Sequence, residues 1–212
     1  MGGQQYIAGI GRGQIQAQID THGAAEATAR AAAIARLAGP TLPAGIYGDI
    51  QLAYPASASA GIALATGTIY TMLLPVAQAG QAIDRVSISV VTIGTATLAR
   101  LAAYAVGADL LPTTLIEDYG EVDVATTGDK EITGARTLPA GPFVCMAVQF
   151  NGGISPHVYN GFSQSVYGWT SPSIAFKRTS VTKTQAYGVF PASFGVPGGY
   201  LATCPRISVR GA

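Results

Sequence analysis

The chain has 212 residues, enough for one well-cored domain with an appendage and short for two full domains. Only 11 % of it is charged, against about a quarter in ordinary soluble domains, while Gly, Ala, Thr and Ser abound and the mean hydropathy is positive. Such a surface is not that of a typical cytosolic enzyme; it suits a protein covered by other subunits or by neutral polar side chains.

The opening "MGGQQYIAGIGRGQIQAQID" has little periodicity and reads as an extended arm. It lacks the apolar core of a secretion signal, and no run in the chain reaches the roughly 18 apolar residues of a membrane helix. Its "GIGRG" has GxGxG spacing, with no proper strand before it and no Lys-Ser/Thr pair after it, so a phosphate-binding loop is not expected. Asp20 and Thr21 then offer capping oxygens to "GAAEATARAAAIARLA", and Gly39-Pro40 ends the run, which predicts a helix of about 15 residues. Glu26 and Arg30 are spaced i and i+4, a favourable orientation. Its large apolar side chains are Ile34 and Leu37 alone, so an Ala-rich helix of this length is marginal by itself and is expected to pack on copies of itself or on a neighbouring protein. Arg30, Ile34 and Leu37 are the candidate attachment and oligomerisation residues.

From residue 41 the pattern changes to short β-rich runs cut by Gly, Pro and Thr. "TLPAG" occurs at Thr41–Gly45 and at Thr137–Gly141, each time before an apolar run carrying an aromatic. In each copy the Leu closes the preceding apolar face, the Pro stops that element and the Gly turns the chain into the next strand. The flanks do not align further, so this is a recurring turn and not a duplication.

Predicted strands are "GDIQLAY", "GIALATGTIYTMLLPV", "IDRVSISVV", "ATLARLAAYAV", "EVDVA", "KEITGART", "GPFVCMAVQF", a segment near "SIAFKRT", "QAYGVF" and "RISVR". In "RVSISVV" the alternation points Val86, Ile88 and Val90 one way and Ser87 and Ser89 the other. About eight to ten such strands with turn chemistry between them predict a mainly β fold, a jelly-roll-like β-sandwich. "TTGDKEI" is expected to form a tight turn at Gly128 and Asp129. The domain division is then residues 1–45 for the arm and helix and residues 46–212 for the sandwich.

Charge is split along the chain. Residues 46–135 hold nine acids against Arg85, Arg100 and Lys130, whereas residues 136–212 hold six cations and no acid. Either the two halves interleave and neutralise one another, or the basic half forms a patch for an anionic polymer. Six scattered cations without a basic helix fall short of a nucleic-acid footprint. Cys145 and Cys204 lack metal-ligand spacing and are expected to be strand-borne thiols, with a disulfide as the alternative.

The segment "NGGISPHVYNGFSQSVYGWTSPS", residues 151–173, is loop-like and concentrates His157, Tyr159, Asn160, Phe162, Tyr167 and Trp169. Flat aromatic faces suit the C–H side of a sugar, and amides and hydroxyls suit its hydroxyl groups. These six residues are the candidate glycan-binding set, weighed against aromatics that pin a long loop or form a subunit contact. The acids Glu117, Asp118, Glu121 and Asp123 raise hydrolysis, since Glu121 and Asp123 would share a strand face at a spacing of about 7 Å. An exposed loop and edge would not supply the buried, pKa-raised carboxyl a glycosidase needs, and EF-hand spacing for calcium is absent. No GxSxG elbow surrounds any serine. No catalytic residue, metal or cofactor is therefore expected.

Taken together, "IDRVSISVVTIGTATLARLAAYAV", then "LLPTTLIEDYGEVDVATTGDKEITGARTLPAGPFVCMAVQFNGG" and the closing "GVFPASFGVPGGYLATCPRISVR", resemble the β-sandwich modules of bacteriophage tail fibres, receptor-binding tips and virion spikes. The resemblance covers roughly residues 60–212 and is one of strands and turns. It departs from the pattern at Phe143-Val144-Cys145, where a Tyr-Trp type of pair is expected, which argues against a sugar site on that strand. It implies a non-enzymatic protein on the exterior of a phage or phage-like particle. It further implies a homotrimer attached to other virion proteins through the N-terminal arm, with host surface polysaccharide as its partner and neither nucleic acid nor an inserted membrane. The alternative it leaves is a capsid decoration protein that stabilises the head.

Overall fold

In a computed structural model, the chain divides into two compact units, residues 1–37 and 38–212. The structure describes residues 20, 24, 25 and 28 of the first unit, and 42–48, 57–59, 61–76, 80–160, 180–201 and 203–212 of the second. In the first unit Ala24, Ala25 and Thr28 are helical, as the Ala-rich run predicts, and Asp20, expected as a cap, is itself helical. The Thr28 hydroxyl donates to the Ala24 carbonyl one turn back at 2.8 Å. Arg30, Ile34 and Leu37 lie outside the described residues.

The second unit is a β-sandwich of two antiparallel sheets. Its described strands are β1 (Tyr47–Gly48), β2 (Ser57–Ser59), β3 (Thr68–Pro75), β4 (Gln81–Thr92), β5 (Leu98–Val106), β6 (Pro112–Asp123), β7 (Gly128–Leu138), β8 (Phe143–Phe150), β9 (Ser155–Pro156), β10 (Val158–Asn160), β11 (Ser180–Thr184), β12 (Gly199–Leu201), β13 (Thr203–Pro205) and β14 (Ile207–Gly211). One sheet runs β1-β14-β4-β7, with β9 also on β4; the other runs β12-β11-β3-β8-β5-β6; β13-β10-β2 form a small third sheet. The chain passes between the two large sheets at β3 to β4, β4 to β5, β6 to β7 and β7 to β8, so sequence neighbours face one another across the core.

Alternation decides which side chains meet there. Val86, Ile88 and Val90 of β4 and Ile207 and Val209 of β14 face Tyr70, Met72 and Leu74 of β3, Leu101 of β5 and Val144, Met146, Val148 and Phe150 of β8, all in one buried cluster. The six-stranded sheet is buried on its other face too: Ile69, Leu73, Tyr104 and Cys145 are fully covered. Every residue of β8 is buried, which accounts for an apolar run that does not alternate.

Three segments differ from the sequence expectation. "LIEDYG", expected as loop, belongs to the long edge strand β6; bulges against β5 interrupt its alternation and let Tyr119 turn into the core while Asp118 and Glu121 stay outside. "QAYGVF" is not a strand. Residues 185–195 instead form a strap across the outer face of the six-stranded sheet, where Phe190 and Phe194 meet the Tyr104 ring edge-on with centroids 6.2 and 5.3 Å away. The strap is fastened by Tyr104 Oη to the Pro191 carbonyl at 2.9 Å and by Leu115 N–H to the Ala192 carbonyl at 2.9 Å. Third, "SVTKT" forms β11. Most of "GDIQLAY" and the segment near "SIAFKRT" lie outside the described residues.

Both "TLPAG" turns behave as expected. Leu42 and Leu138 are buried, and Gly45 and Gly141 have φ of 74° and 144°, where a side chain would be strained. Gly128 has the expected positive φ, 98°, but the bend lies at residues 125–127, and Gly128 and Asp129 open β7 instead of forming the corner. Cys145 and Cys204 are buried thiols.

Candidate functional site

The polar side of "RVSIS" forms the floor of a groove on the outer face of the five-stranded sheet. Register sets its plan. Ser87 of β4 lies opposite Ser208 of β14 on one side and Glu131 of β7 on the other, and Ser89 lies opposite Asp129. The groove encloses about 280 Å³ and is lined by Tyr47, Ser87, Ser89, Asp129, Glu131, Arg206 and Ser208. That is near the small end of the roughly 300–1,000 Å³ range of ligand pockets.

One wall is fixed by a charged network. Arg85 Nη1 donates to Glu131 Oε2 at 2.6 Å, and the Tyr47 hydroxyl donates to the other oxygen of the same carboxylate. The Tyr47 hydrogen bond, followed by Arg85, holds Glu131 below the usual carboxylate range; reciprocally, Glu131 raises the Tyr47 phenol above its ordinary value. Arg210 lies over the Tyr47 ring at 5.9 Å and pairs through Nε with Asp84 Oδ1 at 2.8 Å. Tyr47 is thus held at hydroxyl and ring, yet 42 % of it stays exposed along the groove.

His157 sits beside this floor, as the connection between β9 and β10. Its N–H donates to the Ser89 carbonyl at 2.8 Å and its carbonyl accepts from Arg206 N–H at 2.9 Å, so its backbone ties two lining residues together. Tyr159 and Asn160 lie on β10, paired with Cys204 and Thr203 on one side and Ala58 and Ser57 on the other. Phe162, Tyr167 and Trp169 lie outside the described residues.

The start of the 151–173 segment is built into the sandwich. Asn151 Oδ1 accepts from Thr97 N–H at 2.9 Å and Leu98 N–H at 3.0 Å. A Cβ on Gly152 would come within 2.6 Å of the Ala96 nitrogen, so "NGG" there is the condition for two backbones to touch.

The acids of β6 are committed to structure. Arg100 Nε reaches both oxygens of Asp118 at 2.9 Å and Nη1 reaches Glu121 at 3.2 Å. Glu117 pairs with Arg136 of the other sheet at 2.8 Å, and Asp123 accepts from Ala125 N–H at 2.7 Å. Among the described residues no group of three or more His, Cys, Asp or Glu could hold a metal ion.

Sequence reasoning separated Ser87 and Ser89 from the core face but gave no groove. The other lining residues come from β1, β7, β14 and Arg206 just before β14, 40 positions or more away on either side, and strand register brings them together. No protein-family model matches the chain, and no curated protein matches it.

Proposed function

We propose that this chain is a non-enzymatic component of the exterior of a phage or phage-like particle, a fibre or spike protein that binds host surface polysaccharide. The observation that carries the binding part is the groove over Ser87, Ser89 and Ser208. It combines hydroxyls, carboxylates, a guanidinium and an exposed phenol ring on a rigid sheet, the mixture that meets both the hydroxyl and the C–H faces of a sugar. The placement on a particle rests on the resemblance of the strands and turns over roughly residues 60–212. A sparsely charged β-sandwich suits that placement. In this reading Arg30, Ile34 and Leu37 serve to join the trimer or dock it to other virion proteins.

The groove is read as binding without cleavage. A glycosidase needs a carboxyl that keeps its proton near neutral pH, whereas Glu131 is held ionised by Tyr47 and Arg85. The test is binding of the full chain to a glycan array, beside Ser208→Tyr, which fills the groove, and Asp129→Ala, an exposed change that spares the fold. Saturable binding weakened by both variants is the expected result. Array-wide silence of the folded protein, or binding indifferent to both variants, would remove the groove from the function.

A further inference from the structure

Which class of polysaccharide the groove accepts follows from its charge, on the reading that it holds a sugar at all. Six charged side chains stand in or beside it: Asp84, Arg85, Asp129, Glu131, Arg206 and Arg210. Their formal charges sum to zero. Moreover, Arg85 is bound to Glu131 at 2.6 Å and Arg210 to Asp84 through Nε at 2.8 Å, so two of the three guanidiniums already face a carboxylate. The floor between them is three neutral hydroxyls.

An acidic polymer is drawn to a surface by net positive potential. At Arg85 or Arg210 it would have to displace a bonded carboxylate, and in the groove it would meet the exposed carboxylate of Asp129. Such repulsion discriminates as effectively as attraction. A neutral sugar meets no such obstacle: its hydroxyls donate to carboxylate oxygens in charge-assisted hydrogen bonds and exchange hydrogen bonds with serines that can donate and accept. Ser87 and Ser208 face one another across β4 and β14 at a spacing of about 5 Å, and Ser87 and Ser89 repeat along the strand at about 7 Å.

The wider charge distribution agrees. Two of the cations in the basic C-terminal half are neutralised by acids of the middle segment, Arg136 by Glu117 and Arg210 by Asp84. The expectation that the two halves interleave is realised at these pairs.

We infer that the groove selects an uncharged polysaccharide, read through its hydroxyl groups, with Asp129 as the residue that rejects acidic chains. The experiment measures retention of the full-length protein on immobilised neutral polymers (dextran, mannan, galactomannan) and acidic ones (alginate, hyaluronate), at roughly 0.02 M and roughly 0.5 M sodium chloride. The expected result is retention on a neutral polymer that changes less than about twofold with salt and falls about tenfold or more in Ser208→Tyr. Asp129→Lys should gain retention on acidic polymers at low salt and lose it at high salt. Retention confined to acidic polymers, abolished by salt and by Ser208→Tyr, would overturn the selection for neutral chains and leave the groove as a sugar site. An Asp129→Lys protein that gains nothing on acidic polymers would remove Asp129 from its role. Retention on no polymer, with array-wide silence as well, would overturn the underlying reading together with the inference.

Discussion

Gln81 pairs its carboxamide with the backbone of Leu42 in both directions. Its Oε1 accepts from the Leu42 N–H at 2.7 Å, and its Nε2 donates to the Leu42 carbonyl at 3.3 Å. The side chain thus acts as one more strand residue, holding the segment that leads into β1. Gln81 is also the register partner of Leu138. One buried amide at the start of β4 therefore stands between the leucines of the two "TLPAG" turns.

Removing that amide should be costly. Gln81→Ala takes a partner from a buried N–H and from a carbonyl at once, and a loss of about 3 kcal/mol is expected from such hydrogen bonds. Urea denaturation of wild type and variant gives the number; a loss under about 1 kcal/mol would mean the turn holds itself.

Asp118 should be the anchor of the 185–195 strap. Besides Arg100 it accepts from Phe190 N–H at 3.2 Å and Gly120 N–H at 3.0 Å. Its side chain is 15 % exposed against 19 % for Arg100, so Asp118→Ala leaves a largely buried guanidinium short of its main partner, at a cost of about 3 kcal/mol. Hydrogen exchange should show the Phe190 amide losing protection beyond that global loss. Unchanged protection there would separate the strap from the ion pair.

Two carboxylates make the five-stranded sheet sensitive to acid. Asp84 is held low by its hydrogen bond to Arg210, and Glu131 by Tyr47 and then Arg85. A carboxylate whose folded pKa is depressed contributes stability above its unfolded pKa of about 4, and that contribution disappears as pH falls through the folded value. Denaturation midpoints should therefore drop below about pH 4, and Glu131→Gln should flatten the drop. At the alkaline end the sign reverses. Burial pushes the phenols of Tyr104 and Tyr119 upward, so their stabilisation is present below about pH 10 and lost above it. Spectrophotometric titration should show these tyrosines ionising only with unfolding.

Gly152→Ala should destabilise by about 1–3 kcal/mol, because the new methyl group meets the backbone of Thr95 and Ala96 rather than a movable side chain. Denaturation of this variant also tests the structural assignment of "NGG". A neutral effect would return those residues to the recognition surface.

Assembly has its own measurement. Light scattering of the full chain should give about three times its 21.6 kDa mass if the trimer of the proposed fibre or spike is right. A monomer would move the balance toward a protein organised by its particle, as a decoration protein would be.

Much of the fold was legible because alternation survives wherever one strand face is dry. Val86, Ile88 and Val90 are buried as their spacing demands. It failed at β6, where bulges put Tyr119 inward beside outward acids, and at the strap, whose aromatics resemble a strand's but cover one instead. Of the groove, the serines could be read locally. Tyr47, Asp129, Glu131 and Arg206 could not, since pairing of distant strands creates their neighbourhood.

The most direct measurement is amide chemical-shift mapping of the full-length protein titrated with oligosaccharides of the neutral polymer that retains it. Saturable shifts concentrated at Tyr47, Ser87, Ser89, Asp129, Glu131 and Ser208 are the predicted result. Saturable shifts confined to other surfaces, with these six residues unmoved, would contradict a sugar site on this sheet.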